Sequence, residues 1–123
     1  MGRLSALVIC LVLGCNISAR AQSSGNDNLR GCEDVVASMQ GRGSTHLDVI
    51  YRNGLCSGAV GSLMQIGLLL PAPQFRFCAP DNATNGQAVR VVTAYLEAHP
   101  ESLNQEFTWL AIAAMRNAWP CQQ

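Results

Sequence analysis

The sequence predicts an all-α domain, a small bundle of about four helices stapled by two disulfides. Three observations point there. Apolar residues recur at spacings of three and four through most of the chain, with glycine- and proline-rich breaks between the runs. No segment offers the alternating pattern of a strand together with strand-like flanks. Four cysteines, Cys32, Cys56, Cys78 and Cys121, stand in the part that follows the leader.

The leader is read first because it sets the redox compartment. One basic residue, Arg3, precedes an apolar run over residues 4–14, and a short polar stretch ends in Ala19-Arg20-Ala21. A charged start, a short apolar core and an A-x-A site describe a secretory signal peptide over residues 1–21, cut before Gln22. The run is too short to span a bilayer, which takes about 20 apolar residues. Val12-Leu13-Gly14-Cys15 also resembles a lipobox, so a lipid anchor on Cys15 is the alternative. Either route exports the chain, and the periplasm is the expected destination.

Residues 22–123 are one domain in size. They hold six arginines and eight acids, a net charge of about −2, with no lysine and no block of like charge. A nucleic-acid or anionic-membrane partner needs a basic patch, and none is written here.

Residues 22–28 are polar and read as a flexible leader or a helix entry. Leu29, Cys32, Val36 and Met39 then form the stripe of a first helix, which stops at the glycines Gly41 and Gly43. Thr45-His46-Leu47-Asp48 has the form of a capping box. A long helix is expected behind it over residues 46–70. Cys56, Val60, Leu63 and Leu70 share one side of it, and Gly54, Gly58 and Gly61 the opposite side. Apolar nearly all round, this helix is expected to be central and buried, its glycine row used for packing within the chain. Pro71, Pro73 and Pro80 then exclude regular helix, while Phe75, Phe77 and Cys78 call for burial. Thr84-Asn85-Gly86-Gln87 is a second capping box, and Ala88, Val91, Val92, Tyr95 and Leu96 give the stripe of a third helix. His99-Pro100-Glu101 ends it and is expected to start the fourth, with proline first and an acid at the helix dipole. Leu103, Phe107, Leu110, Ala111, Ala114 and Ala118 make the last stripe, closed by Pro120.

Four cysteines in a small exported chain read as two disulfides. They contain no C-x2-4-C pair of the kind that holds zinc. Short connections make successive helices antiparallel. The start of the third helix then lies beside the end of the fourth, bringing Cys78 to Cys121, and Cys32 meets Cys56 across the first hairpin.

Candidates for chemistry are few. His99 reads as a helix cap, His46 as a solvated loop residue, and Glu97 and Glu101 as partners of helix dipoles. There is no G-x-S-x-G, no HExxH and no phosphate-binding glycine loop. Neither an enzyme nor a cofactor site is expected.

Read together, "LCSGAVGSL" (55–63), "FCAPDNATNGQAVRVVTAYLEAHPESL" (77–103) and "AMRNAWPC" (114–121) resemble the Rap/Tai family of immunity proteins. The likeness rests on F-C-x-P, on Q-x-x-x-V-V-x-x-Y-L-x-x-H-P-E and on the cysteine placement. Ala59, Asn104 and Trp119 depart from the tyrosine, histidine and phenylalanine that the family favours. The resemblance implies a periplasmic, helical, disulfide-bonded protein that neutralises a secreted effector toxin by binding it. In characterised members the toxin is often a peptidoglycan amidase delivered by type VI secretion, and members are often homodimers. A stand-alone envelope stress or structural protein is the alternative function. From expected exposure alone, partner contacts are assigned to Gly41, Arg42, Gly43, Ser44, Thr45 and His46 in the first loop, and to Pro71, Gln74 and Arg76 in the second.

Overall fold

The computed structural model describes residues 23–122. The expected signal segment, residues 1–21, lies outside them together with Cys10 and Cys15. Four α-helices are present: α1 (Gly25–Met39), α2 (Leu47–Ile66), α3 (Asn85–Ala98) and α4 (Phe107–Ala118). Short 3-10 turns follow at Gly67–Leu69, Pro73–Phe75 and Pro100–Ser102. No strand occurs among the described residues. The helical fold class is as the sequence predicts.

Helix α1 begins earlier than its apolar stripe suggests. Of the two readings of this polar stretch, residues 23–28 follow the helix entry and not the flexible leader, because Ser24 and Asp27 close a reciprocal capping box. The Ser24 N–H and hydroxyl both donate to Asp27 Oδ2, each at 2.8 Å. The backbone bond from Ser24, and then its hydroxyl bond, hold the Asp27 carboxyl below its ordinary value of 3.8. On α2, the Arg52 guanidinium bonds Asp48 at 2.8 Å and lowers that carboxyl in the same direction. A carboxyl depressed in the folded state adds stability above its unfolded pKa, and the gain is lost as pH falls through the folded value. The protein is therefore expected to weaken in acid below pH 3.8. Asp27→Asn should lower the melting temperature at neutral pH and leave it nearly unchanged in strong acid, as thermal melts at both pH values would read.

The core collects one stripe from each helix. Phe77, Leu96, Met115, Val60, Val89 and Val92 are its largest fully buried side chains. Ala88, Val92 and Leu96 hold the inward positions predicted for α3, whereas Val91 and Tyr95 are only half-buried at its edge. Both disulfides form as the antiparallel connections require, Cys32–Cys56 and Cys78–Cys121. They differ in setting. Cys32 and Cys56 are wholly buried in the core, while Cys78 is exposed and Cys121 half-exposed. The expected burial of Cys78 is thus corrected: its backbone N–H is tied to the Trp119 carbonyl at 2.9 Å, but its side chain lies at the surface.

Three further expectations are revised. Thr45 makes no capping box; His46 is the N-cap of α2, without a side-chain cap bond, and Asp48 turns to Arg52 instead. Helix α4 does not start at Pro100. Residues 100–106 form a 3-10 turn and further turns, because the segment before α1 docks on them. Gly25 donates to the Gln105 carbonyl, Asn26 to that of Leu103, and Phe107 back to that of Ser23, all at 2.9 Å. Those tertiary bonds replace the intrahelical bonds that Pro100 would have begun.

The third revision matters most. Helix α2 is not central. It packs on α1 and α3, while α4 packs chiefly on α3. Only Cys56, Val60 and Leu63 of α2 are buried. Its opposite face has no neighbour among the described residues.

A candidate docking face on the second helix

At 100° per residue, Leu47, Ile50, Tyr51, Gly54, Leu55, Gly58, Ser62 and Ile66 fall on one half of α2, and Cys56, Val60 and Leu63 on the other. The second half enters the core. The first is open, with Leu47 82% exposed, Tyr51 67%, Ile50 52% and Leu55 49%. Beyond the helix end Leu68 and Leu69 are exposed as well. Gly54 and Gly58, in the middle, have nothing among the described residues within 4 Å of where a Cβ would stand. The glycine row therefore does not serve packing within the chain, except at Gly61, which meets only the side chain of Asn85. Seven exposed apolar side chains in one strip of chain exceed the scatter that a soluble surface normally carries, and such patches mark docking surfaces.

Past its first turn the face is also uncharged; Asp48, at the same angle as Ile66 and 70% exposed, is paired with Arg52. Between Arg52 and Arg76 the sequence has no Asp, Glu, Arg or Lys. Arg52, at its margin, is occupied by Asp34 at 3.1 Å and Asp48 at 2.8 Å. Alongside Gly54 a groove of about 500 Å³ runs between α1 and α2, lined by Val35, Ser38, Met39, Asn53, Gly54 and Ser57. The absent side chain of Gly54 leaves it open. A ridge of Leu55 and Tyr51 beside a glycine-floored groove can take an apolar side chain from another protein.

The residues assigned to partner binding from sequence do not gather into one site. The two loops lie at opposite ends of α2, whose 20 residues span about 30 Å. In the first loop Gly41 takes φ +75°, which ends α1, and Arg42 is held by the side chain of Gln40. Gly43, Thr45 and His46 are exposed and Ser44 half-buried. In the second loop Arg76 donates from Nε to the Leu70 carbonyl at 2.7 Å and from Nη2 to the Pro71 carbonyl at 3.2 Å. Gln74 and Arg76 line a cleft of about 650 Å³ with Pro73, Arg116, Pro120, Cys121 and Gln122. Between the loops lies the open face of α2, which sequence reasoning had placed in the core.

The histidines have structural positions. His99 closes α3, its Nδ1 2.8 Å from the Tyr95 carbonyl and its ring stacked on that of Tyr95 at 4.1 Å. His46 starts α2. No group of three or more His, Cys, Asp or Glu able to hold a metal ion occurs among the described residues, and no described helix is long and apolar enough to cross a membrane.

Comparison with known proteins gives one result. The family model of the Rap1a immunity proteins matches residues 24–121, the stretch that holds all four helices and both disulfides. No curated protein and no solved structure matches the chain.

Proposed function

The chain belongs to the Rap1a immunity proteins, and on that premise we propose that it is a periplasmic protein that binds and occludes a toxin delivered by type VI secretion, a peptidoglycan amidase. The observation that carries the reading is the open face of α2, apolar and free of charge beyond Asp48 in its first turn, on a cross-linked scaffold. An occluding inhibitor needs a rigid surface more than a reactive group, since rigidity lowers the ordering cost of binding. The interior of such an interface is apolar and poor in charge, as this face is. The loop residues Pro71, Gln74 and Arg76 at one end, and 41–46 at the other, supply the polar rim. Two disulfides favour an oxidising compartment, where a delivered cell-wall hydrolase would have to be met.

The test is capture of the amidase by tagged protein, scored together with survival of cells that receive the enzyme in their periplasm. Leu55→Arg places a charge in the centre of the face. It is expected to weaken capture by about 30-fold or more, as loss of a binding hot spot does, without lowering the melting temperature. Gly58→Ala separates binding from stability. In an exposed helix with free space it should stabilise the isolated chain by about 1 kcal/mol, yet impair capture because it fills the floor of the face. If both variants bind and protect like the parent, the face is not the toxin site. Sedimentation of the free chain addresses the homodimer that members of the family often form. A dimer abolished by Leu55→Arg would assign the face to self-association and leave the toxin to the loops. Protein that captures no hydrolase and protects no cell would return the chain to the stand-alone envelope role.

A further inference from the structure

The two disulfides lie in opposite environments, and the proposed function uses neither chemically. Cys32–Cys56 has no exposed surface at either residue. Cys78–Cys121 is at the surface, and Cys121 forms part of the wall of the 650 Å³ cleft. Two arginines, Arg76 and Arg116, share that wall, and no acidic residue does. Arg76 is fixed in place by the Leu70 and Pro71 carbonyls. Arg116 is exposed and in no ion pair among the described residues. A cleft of this size admits a small molecule, and two positive charges on its wall, that of Arg76 fixed in place, attract anions into it.

We propose that Cys78–Cys121 is a thiol–disulfide exchange site selective for thiols that carry a negative charge. The incoming thiolate enters the cleft and attacks Cys121 Sγ. A new S–S bond forms between the incoming sulfur and Cys121, the Cys78–Cys121 bond breaks, and its electron pair leaves on Cys78 Sγ, which takes a proton from water. A second equivalent of thiol can displace the first as the symmetric disulfide, leaving Cys121 reduced. Opening the bond releases residues 120–122 from the second loop, while Trp119 stays packed against the core and keeps its backbone bond from Cys78.

The experiment treats the oxidised protein with three small thiols of similar size, mercaptopropionate, mercaptoethanol and cysteamine. Rates are corrected for the thiolate fraction of each, and the products are mapped by alkylation and mass spectrometry. Mixed disulfide is expected on Cys121, at least about tenfold faster than any modification of Cys32 or Cys56, which exchange only on unfolding. The order should be anionic over neutral over cationic, with a spread of about tenfold that high salt compresses. Arg116→Gln should reduce the spread to about threefold, while Arg90→Gln, on an exposed position outside the cleft, should leave it unchanged. Absence of a charge order, first modification at Cys78, or a spread that Arg116→Gln leaves undiminished would each overturn the assignment.

Discussion

Replacing Cys32 and Cys56 together by alanine should lower the stability of the domain by about 4.5–5.5 kcal/mol, more than the same double change at Cys78 and Cys121. Loop entropy alone ranks the two the other way. The pairs are separated by 24 and 43 residues, so chain closure contributes about 3.5 and about 4 kcal/mol respectively. Burial reverses the order. Cys32 and Cys56 are fully enclosed, and their sulfurs fill space where α1 and α2 come very close. A Cβ on Gly31, next to Cys32, would stand 2.6 Å from the Arg52 carbonyl oxygen. Backbone that tight cannot close over the missing sulfurs, and the residual void adds about 1–2 kcal/mol. The exposed Cys78 leaves no comparable void. For a domain whose total stability is about 5–15 kcal/mol, loss of the buried pair should bring the melting temperature down by about 20–30 °C. Denaturant melts of both double variants decide the matter. An equal or smaller loss at Cys32 and Cys56 would show that packing around the buried pair contributes nothing beyond the cross-link.

Both pairings were legible in the sequence because they follow from chain direction: short turns make antiparallel neighbours. Cys78 and Cys121 stand at the matching outer ends of α3 and α4, and Cys32 and Cys56 lie well inside α1 and α2 at comparable distances from the turn between them. The stripe of α3 was legible because its apolar residues occupy one face and its polar ones the other. Helix α2 was not, for a physical reason. A helix apolar on two faces can bury either one, or both, and nothing local says whether a neighbour exists for the second. Here α4 lies on α3 and leaves Leu47, Tyr51 and Leu55 to solvent. The glycines added to the error, since a missing side chain reads equally as close packing and as an open groove. The start of α4 was hidden likewise, because the bonds that delay it come from Ser23, Gly25 and Asn26, some eighty residues earlier. Arg116 carries no local signal at all. Its place opposite Arg76 arises only when the end of the chain folds back to Cys78.

The early end of α2, at Ile66 rather than near Leu70, leads to the other large effect. Gly67 follows the helix with helical angles, φ −52° and ψ −42°, so an alanine there would by propensity alone stabilise the chain by about 1 kcal/mol. Packing opposes this. A Cβ on Gly67 would stand 2.4, 2.5 and 2.8 Å from Cζ, Cε2 and Cε1 of Phe77. Phe77 is 1% exposed, among the largest fully buried side chains of the core. A ring held on all sides cannot move by an ångström without displacing its neighbours, so the ring, the end of α2 or both must shift. Overpacking of this kind costs about 1–3 kcal/mol, occasionally more, and expulsion of a phenylalanine forfeits up to about 3 kcal/mol of burial. Gly67→Ala is therefore expected to destabilise by about 2–3 kcal/mol net, against its own helix propensity. A second substitution separates the two effects. Phe77→Leu costs stability by itself, but it removes the ring atoms that the methyl group meets. In that background Gly67→Ala should become neutral or mildly stabilising, giving a coupling of about 2 kcal/mol or more between the two sites. If alanine at position 67 costs the same with and without the Phe77 ring, the close approach does not set the end of α2, and another cause must be found for the turn at Gly67–Leu69.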